Sequence, residues 1–413
     1  MNNQKIAPLK IAIVVHGRFY AFDLARELIN QGHDVTLFTN YPKYIVEKFG
    51  IPQSHVRSFL LHGILSRLAH KLSQLLPIPS LEPFLSPLFS RWAAQNILKS
   101  HLGYDVIHVF SGVAEELLLK IKSTPPTSQT LTTVVRASSH IRVQKQLLAA
   151  EETRANSLAQ TPVNIDQPSE WIIATEEREY QLADIIIVLS SFAASSFIQQ
   201  GIPPEKLRTM PLGAQLSVFR PDATVITQRH QRILSGQPLK VLMVGTFSLR
   251  KGAIDWVEIA KNAGANFQFR FVGAVASDTQ FLHETALPYI EFIPKQPQSQ
   301  LPQFYPQADL FIFTTIEDGY PAVLAQAQAS GLPIIATTNC CAPDIIVENQ
   351  TGWVVPIRSP DAFVEKLQWC DQHREELAAM ARRVYQDFQP RDWTEVAQDF
   401  TKIVRDYLHQ AEN

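Results

Sequence analysis

The chain has 413 residues, too many for one ordinary hydrophobic core and enough for two domains of roughly 200 residues each. With 46% hydrophobic and 18% charged residues it has the composition of a well-buried globular protein, which excludes long disordered stretches. A net charge of -2 lacks the basic excess of a nucleic-acid binder and leaves a small molecule as the expected ligand.

Met1 to Lys10 is polar and runs straight into a strand pattern. It has no apolar signal core, and no run of about 18 apolar residues follows, so a cytoplasmic protein is expected. Short β-branched runs then alternate with helical patterns: Leu9 to Val15, Asp34 to Phe38, Asp105 to Phe110, Leu131 to Ala137 and Asp184 to Leu189. Strands alternating with helices predict a parallel sheet covered on both faces. One stretch departs from that rhythm. Residues 51-104 carry five Lys/Arg against one acid, Glu82, among many Leu, Phe and Trp. Such a basic, apolar, helix-patterned insertion suits either a solvated cap on the domain or contact with an anionic membrane surface or lipid-linked acceptor.

The alternation restarts at Leu239 to Gly245 and continues through Phe269 to Gly273, Tyr289 to Ile293, Asp309 to Thr314, Pro333 to Thr337 and Trp353 to Val355. The fold class is therefore α/β, two doubly wound parallel-sheet domains facing across a cleft. The reading assigns 1-212 to the first domain, 213-238 to a proline-broken hinge, 239-390 to the second domain and 391-413 to a final helix. Cys340 and Cys341 are adjacent and Cys370 is distant, which fits neither a disulfide framework nor a zinc spacing; no metal site is expected.

Ligands of open parallel sheets bind where strands end. Strand Asp309 to Thr314 ends in an acidic turn, Glu317, Asp318 and Gly319, before a helix starts near Pro321. The first strand of the second half ends in VGTFSLRKG, in which Arg250, Lys251 and Gly252 form a basic turn suited to a pyrophosphate. In the first half, His16, Gly17 and Arg18 close the first strand and Arg136 to His140 closes the fourth.

The stretch Asp318, Gly319, Tyr320, Pro321 and Gln326, followed by Ala327, Ala329, Ser330, Gly331 and Pro333, resembles the signature of glycosyltransferase family 4. That resemblance implies the GT-B architecture and a retaining, metal-independent transferase that uses a nucleotide sugar as co-substrate and no cofactor. The donor could be a UDP-, GDP- or ADP-sugar, the acceptor a saccharide or a lipid-linked sugar, in polysaccharide or glycolipid synthesis. Implied donor contacts are Gly17, Thr246, Arg250, Lys251, Asp318, Gly319, Tyr320, Pro321 and Gln326. His140, Lys251 and Asp318 take the implied catalytic positions, and His16, Arg18 and Arg136 lie on the acceptor side. Gln326 stands where the family usually has glutamate, and Thr246 where it often has arginine. Those two changes keep a rival open, a non-catalytic sugar-nucleotide-binding or scaffold subunit. A phosphorylase or epimerase on the same architecture is another, since fold does not fix reaction.

Overall fold

The structure is a computed structural model that describes residues 7-75, 80-100, 103-124 and 130-412. Strands β1 (Lys10–Val15), β2 (Asp34–Thr39), β3 (Val56–Ser58), β4 (Val106–Phe110), β5 (Leu131–Arg136), β6 (Ile185–Val188) and β7 (Leu207–Thr209) form one parallel sheet. Its order is β3-β2-β1-β4-β5-β6-β7. Strands β8 (Leu239–Phe247), β9 (Phe267–Val275), β10 (Ile290–Ile293), β11 (Leu310–Phe313), β12 (Ile334–Thr337) and β13 (Gly352–Val355) form the second, ordered β10-β9-β8-β11-β12-β13. The expected α/β architecture of two doubly wound sheets is what the chain adopts. The edge strands β3 and β7 are additions, each of three residues and too short for a sequence period to declare.

Successive side chains of a strand point to opposite faces, and β1 shows what that does in a covered sheet. Ile11, Ile13 and Val15 enter one cluster with Val396, Phe400 and Val404 of the last helix, Trp393–Glu412. Ala12 and Val14 enter the other with Phe89, Ala93 and Ala94 of the helix Glu82–Lys99. Burying each large aliphatic or aromatic side chain is worth about 1.5–3 kcal/mol, so the last helix is a structural layer of the first domain.

The insertion forms two helices, Leu60–Leu75 and Glu82–Lys99. The second buries Phe89 and Ile97, whereas the first leaves Leu60, Leu61, Ile64, Leu68 and Leu72 exposed. The stretch read as a hinge, 213-238, is not free of regular structure. It contains the helix Ala223–Leu234, whose fully buried Arg229 donates to the carbonyls of Tyr305 (2.9 Å), Ala308 (2.8 Å), Ser330 (2.6 Å) and Gly331 (2.9 Å). That helix therefore belongs to the second domain; Pro221 and Pro238 bracket it rather than break it. The crossings at 211-214 and 391-393 run side by side, with the Ala214 amide on the Arg391 carbonyl at 3.0 Å.

A third link is the helix Ile141–Leu158, which starts in the first domain and packs Ala155 into the core of the second. Its Arg154 pairs with Asp255, and its Glu151 accepts from Arg358 at 2.7 Å.

Candidate active site

The second sheet's order reverses between β8 and β11, which are neighbours, and the two turns singled out in the sequence follow these two strands. They are sewn together. The Ile316 amide donates to the Arg250 carbonyl at 2.9 Å, and the Thr314 hydroxyl donates to the carbonyls of Lys251 (2.9 Å) and Gly252 (3.0 Å). Gly252 has φ +72°, and a Cβ there would lie 1.9 Å from the Thr314 oxygen, so the turn admits only glycine. This framing fixes Lys251, whose ammonium forms an ion pair with Asp318 and stands 5.8 Å from the Phe313 ring centre. Pro321 caps the helix Ala322–Ala329, so Asp318, Gly319 and Tyr320 form the turn just before it.

From the first domain, the turn Arg136 to His140 is pressed against these loops. Glu317 makes the junction. Its buried carboxylate accepts from the Ser139 amide and hydroxyl (both 2.9 Å), from Gln144 (3.0 Å) and from Ser138, while Arg250 pairs with it at 2.8 Å. Burial alone would push its pKa up; the Arg250 guanidinium and the Ser138 and Ser139 donors outweigh that and pull it down to about 2. A Cβ on Gly319 would meet the Ala137 carbonyl oxygen at 2.1 Å, so glycine here sets how closely the domains approach. Asp344 adds a contact, accepting from the Ser191 amide at 2.9 Å.

The implied site residues divide accordingly. Arg250, Lys251, Asp318, Gly319, Tyr320 and Pro321 come together on the second domain. Arg250, however, is committed to Glu317 and the Ser138 hydroxyl. Gln326 is buried, its amide oxygen accepting from the Tyr305 hydroxyl at 2.7 Å. Thr246 is exposed near the end of β8.

On the first domain the outcome differs. His140 is the N-cap of the helix Ile141–Leu158: its Nδ1 accepts from the Arg142 amide at 3.2 Å, and its own amide donates to Ser196 Oγ at 2.8 Å. The ring is buried between Tyr180 and Phe197, with centroids 5.1 and 4.9 Å away. Burial first, and the Arg136 and Arg142 charges after it, lower its pKa to about 4 despite Glu177, so the ring is neutral at pH 7. None of its described contacts reaches Lys251 or Asp318.

Arg136 is likewise occupied, with Glu176 at 2.8 Å and Gln144 at 2.7 Å. Its fixed fork braces the turn from behind. His16 packs edge-on against His62, centroids 5.0 Å apart, and burial followed by the His62 charge lowers its pKa to about 4. The Gly17 amide donates to Asn40 Oδ1 at 3.1 Å, while Arg18 lies over the Phe49 ring at 4.1 Å.

Between the domains are two cavities. One of about 330 Å³ is lined by Phe110, Arg136, Ser138, Gln144 and Arg250; the other, of about 450 Å³, is lined by Leu212, Tyr320, Asp344 and Trp393. Phe19 borders both. The sequence reading missed Glu317, Ser138 and Ser139 as a unit and Phe19 altogether. An acidic doublet and a pair of serines give no sign that they meet across a cleft. Among the described residues no group of three or more His, Cys, Asp or Glu is gathered for a metal, and no helix is long and apolar enough to cross a membrane.

Residues 18-218 match the glycosyltransferase family 4 description and residues 225-387 the description of the glycosyl transferases group 1. The putative colanic acid biosynthesis glycosyltransferase WcaL of Salmonella typhimurium is 24% identical over 49% of this chain and 52% of its own length. A GDP-mannose-dependent alpha-mannosyltransferase of Mycobacterium tuberculosis is 26% identical, over 49% of this chain and 52% of its own. The chain thus spans about half the length of the curated relatives it matches. Among solved structures, the sucrose-phosphate synthase of Thermosynechococcus elongatus has a TM-score of 0.67 at 19% identity, covering 97% of this chain and 100% of that one. HepE of Anabaena in complex with UDP has a TM-score of 0.64 at 14% identity, covering 96% and 100%. With both halves matched in order and two all-parallel sheets facing across a cleft, the chain belongs to the group 1, family 4-like glycosyltransferases of GT-B architecture.

Proposed function

We propose that this chain is a retaining transferase that moves a glycosyl group from a nucleoside-diphosphate sugar to a saccharide or lipid-linked acceptor, without a metal ion, in polysaccharide or glycolipid synthesis. The observation that carries the reading is the Lys251–Asp318 pair held at the sheet's switch point, beside the start of the helix Ala322–Ala329. An entering diphosphate competes for the Lys251 ammonium and frees Asp318 to accept from sugar hydroxyls. Lys251 then stabilises the charge that grows on the leaving diphosphate.

Gln326 suits a ribose. With its oxygen occupied by Tyr305, its amide group remains a donor for a ribose hydroxyl. His140 caps a helix and is buried and neutral, so it is not assigned to proton transfer. The acceptor oxygen attacks the anomeric carbon as the bond to the phosphate oxygen breaks. The electron pair leaves with the diphosphate, and the acceptor proton passes to a phosphate oxygen on the same face. The exposed apolar row of the helix Leu60–Leu75, with Arg67 and Lys71 on the same helix, suits a lipid-linked acceptor at an anionic membrane surface.

HepE is described in complexes with UDP and with UDP-glucose, and three of the relatives are described as GDP-mannose-dependent, so both nucleotide classes enter the test. Thermal shift of the purified chain against UDP, GDP, ADP and their sugar conjugates should show one nucleotide family raising Tm, and Lys251→Ala should abolish the rise. No shift with any of them defeats the donor assignment and turns attention to a scaffold role.

A further inference from the structure

The turn after β1 holds one bulky residue in an unusual backbone conformation. Phe19 has φ +41°, a left-handed backbone that a bulky L-residue rarely takes. Its neighbours are tied down: the Gly17 amide on Asn40, Arg18 over Phe49, and Tyr20 buried against Phe110 and Trp393. Strain of this kind persists where the surroundings impose it, and it gathers at binding sites. Its result here is to hold an aromatic ring out of the core. Phe19 is 63% exposed, with its ring stacked at 5.7 Å on Phe110.

The ring's position is specific. It borders both interdomain cavities, and the smaller one also contains Ser138 and Arg250, members of the junction beside Lys251 and Asp318. A cavity of about 330 Å³ with an aromatic wall and a few convergent polar groups is of the size and make-up that takes one sugar ring. The electron-rich face of an aromatic ring attracts the weakly positive C–H face of a pyranose, while the polar wall meets its hydroxyls.

We propose that Phe19 is the stacking platform for the acceptor's sugar ring and hence a specificity-determining residue. The identification of that sugar as the acceptor rests on the transferase reading above; the stacking itself does not.

The test is saturation-transfer NMR of the methyl α-glycosides of glucose, galactose and mannose on wild type, Phe19→Ala, Phe19→Leu and Phe19→Trp, all full-length. UDP and GDP thermal shifts are taken on the same samples. At least one glycoside should receive saturation at its C–H protons from wild type and Phe19→Trp. The signal should fall about fivefold in Phe19→Ala and Phe19→Leu, the loss expected of one ring contact, with the nucleotide shifts unchanged. Leucine keeps the bulk without the π face and guards against a variant that fails to fold. Equal signals in wild type and Phe19→Leu, or no glycoside signal while a nucleotide still binds, overturn the platform. Sugar stacking without any nucleotide shift leaves the platform standing and defeats the transferase reading; loss of both defeats both.

Discussion

The two walls of the cleft were built by different means. On the second domain, the groups assigned to the donor sit within two adjacent turns, held by backbone geometry: Gly252 against Thr314, Ile316 on Arg250, Lys251 on Asp318. On the first domain, three of the strand-end side chains carried over to the site, His140, Arg136 and His16, are held by their own domain. His140 caps a helix, Arg136 holds Glu176, and His16 packs on His62. A nucleotide diphosphate is a constant ligand that rewards a preformed cradle, whereas this wall offers an aromatic ring and a braced turn. Under the proposed function, the contrast assigns charge for catalysis to one wall and shape for selection to the other.

The sharpest way to break that contrast is Lys251→Ala. If the cationic cradle carries the leaving-group stabilisation, turnover should fall about 10³-fold, which corresponds to about 4 kcal/mol, with Tm in the absence of nucleotide nearly unchanged. A loss under tenfold, measured with any donor that stabilises the wild type, would place the main charge elsewhere.

Arg229→Met probes the scaffold behind the cradle. Its buried guanidinium holds four backbone carbonyls near the foot of β11 and the end of the helix Ala322–Ala329. Methionine fills part of the space and satisfies none of them, so denaturant unfolding should show a loss of about 4 kcal/mol. A change below 1 kcal/mol would mean that these carbonyls find other partners.

Much of the fold and the donor wall was legible because the signals there are local. A strand, an acidic turn and a helix start follow one another within a dozen residues, and Gly252 lies beside the lysine it positions. The interdomain junction was not legible. Glu317 and Ser138 are separated by 179 positions, and nothing in either segment says which face of which domain it will meet. Proline misled in the opposite sense at 213-238: Pro221 precedes the Asp222 cap and Pro238 follows the helix end, so both flank a helix and neither interrupts it. His140 read as a cleft histidine because a strand-end ligand and an N-cap occupy the same place in a strand–turn–helix.

Glu317→Gln tests whether the walls are coupled through that junction. The wild-type carboxylate is held at about 2, below its ordinary value of 4.5, so its contribution is complete above pH 4.5 and is lost as pH falls toward 2. Glutamine removes the charge facing Arg250 and should cost about 2 kcal/mol at pH 7. Between pH 5 and pH 3 the wild type should then lose stability more steeply than the variant. Parallel pH curves for the two proteins would show that Glu317 is not the group that titrates.

The smallest effect belongs to His140, and it discriminates best between the walls. As a cap, its Nδ1 accepts a hydrogen bond that asparagine can take over, since its side-chain oxygen reaches the same amide. Both variants lose the ring's packing, and His140→Asn should be more stable than His140→Ala by about 1 kcal/mol, the worth of the cap. Turnover in both variants should stay within about fivefold of wild type, because the neutral, buried ring touches Tyr180 and Phe197 and neither Lys251 nor Asp318. If asparagine is the more stable but both variants lose more than a hundredfold in turnover, the ring meets the donor sugar directly. The first domain would then supply a catalytic group, and the division of labour between the two walls would fail.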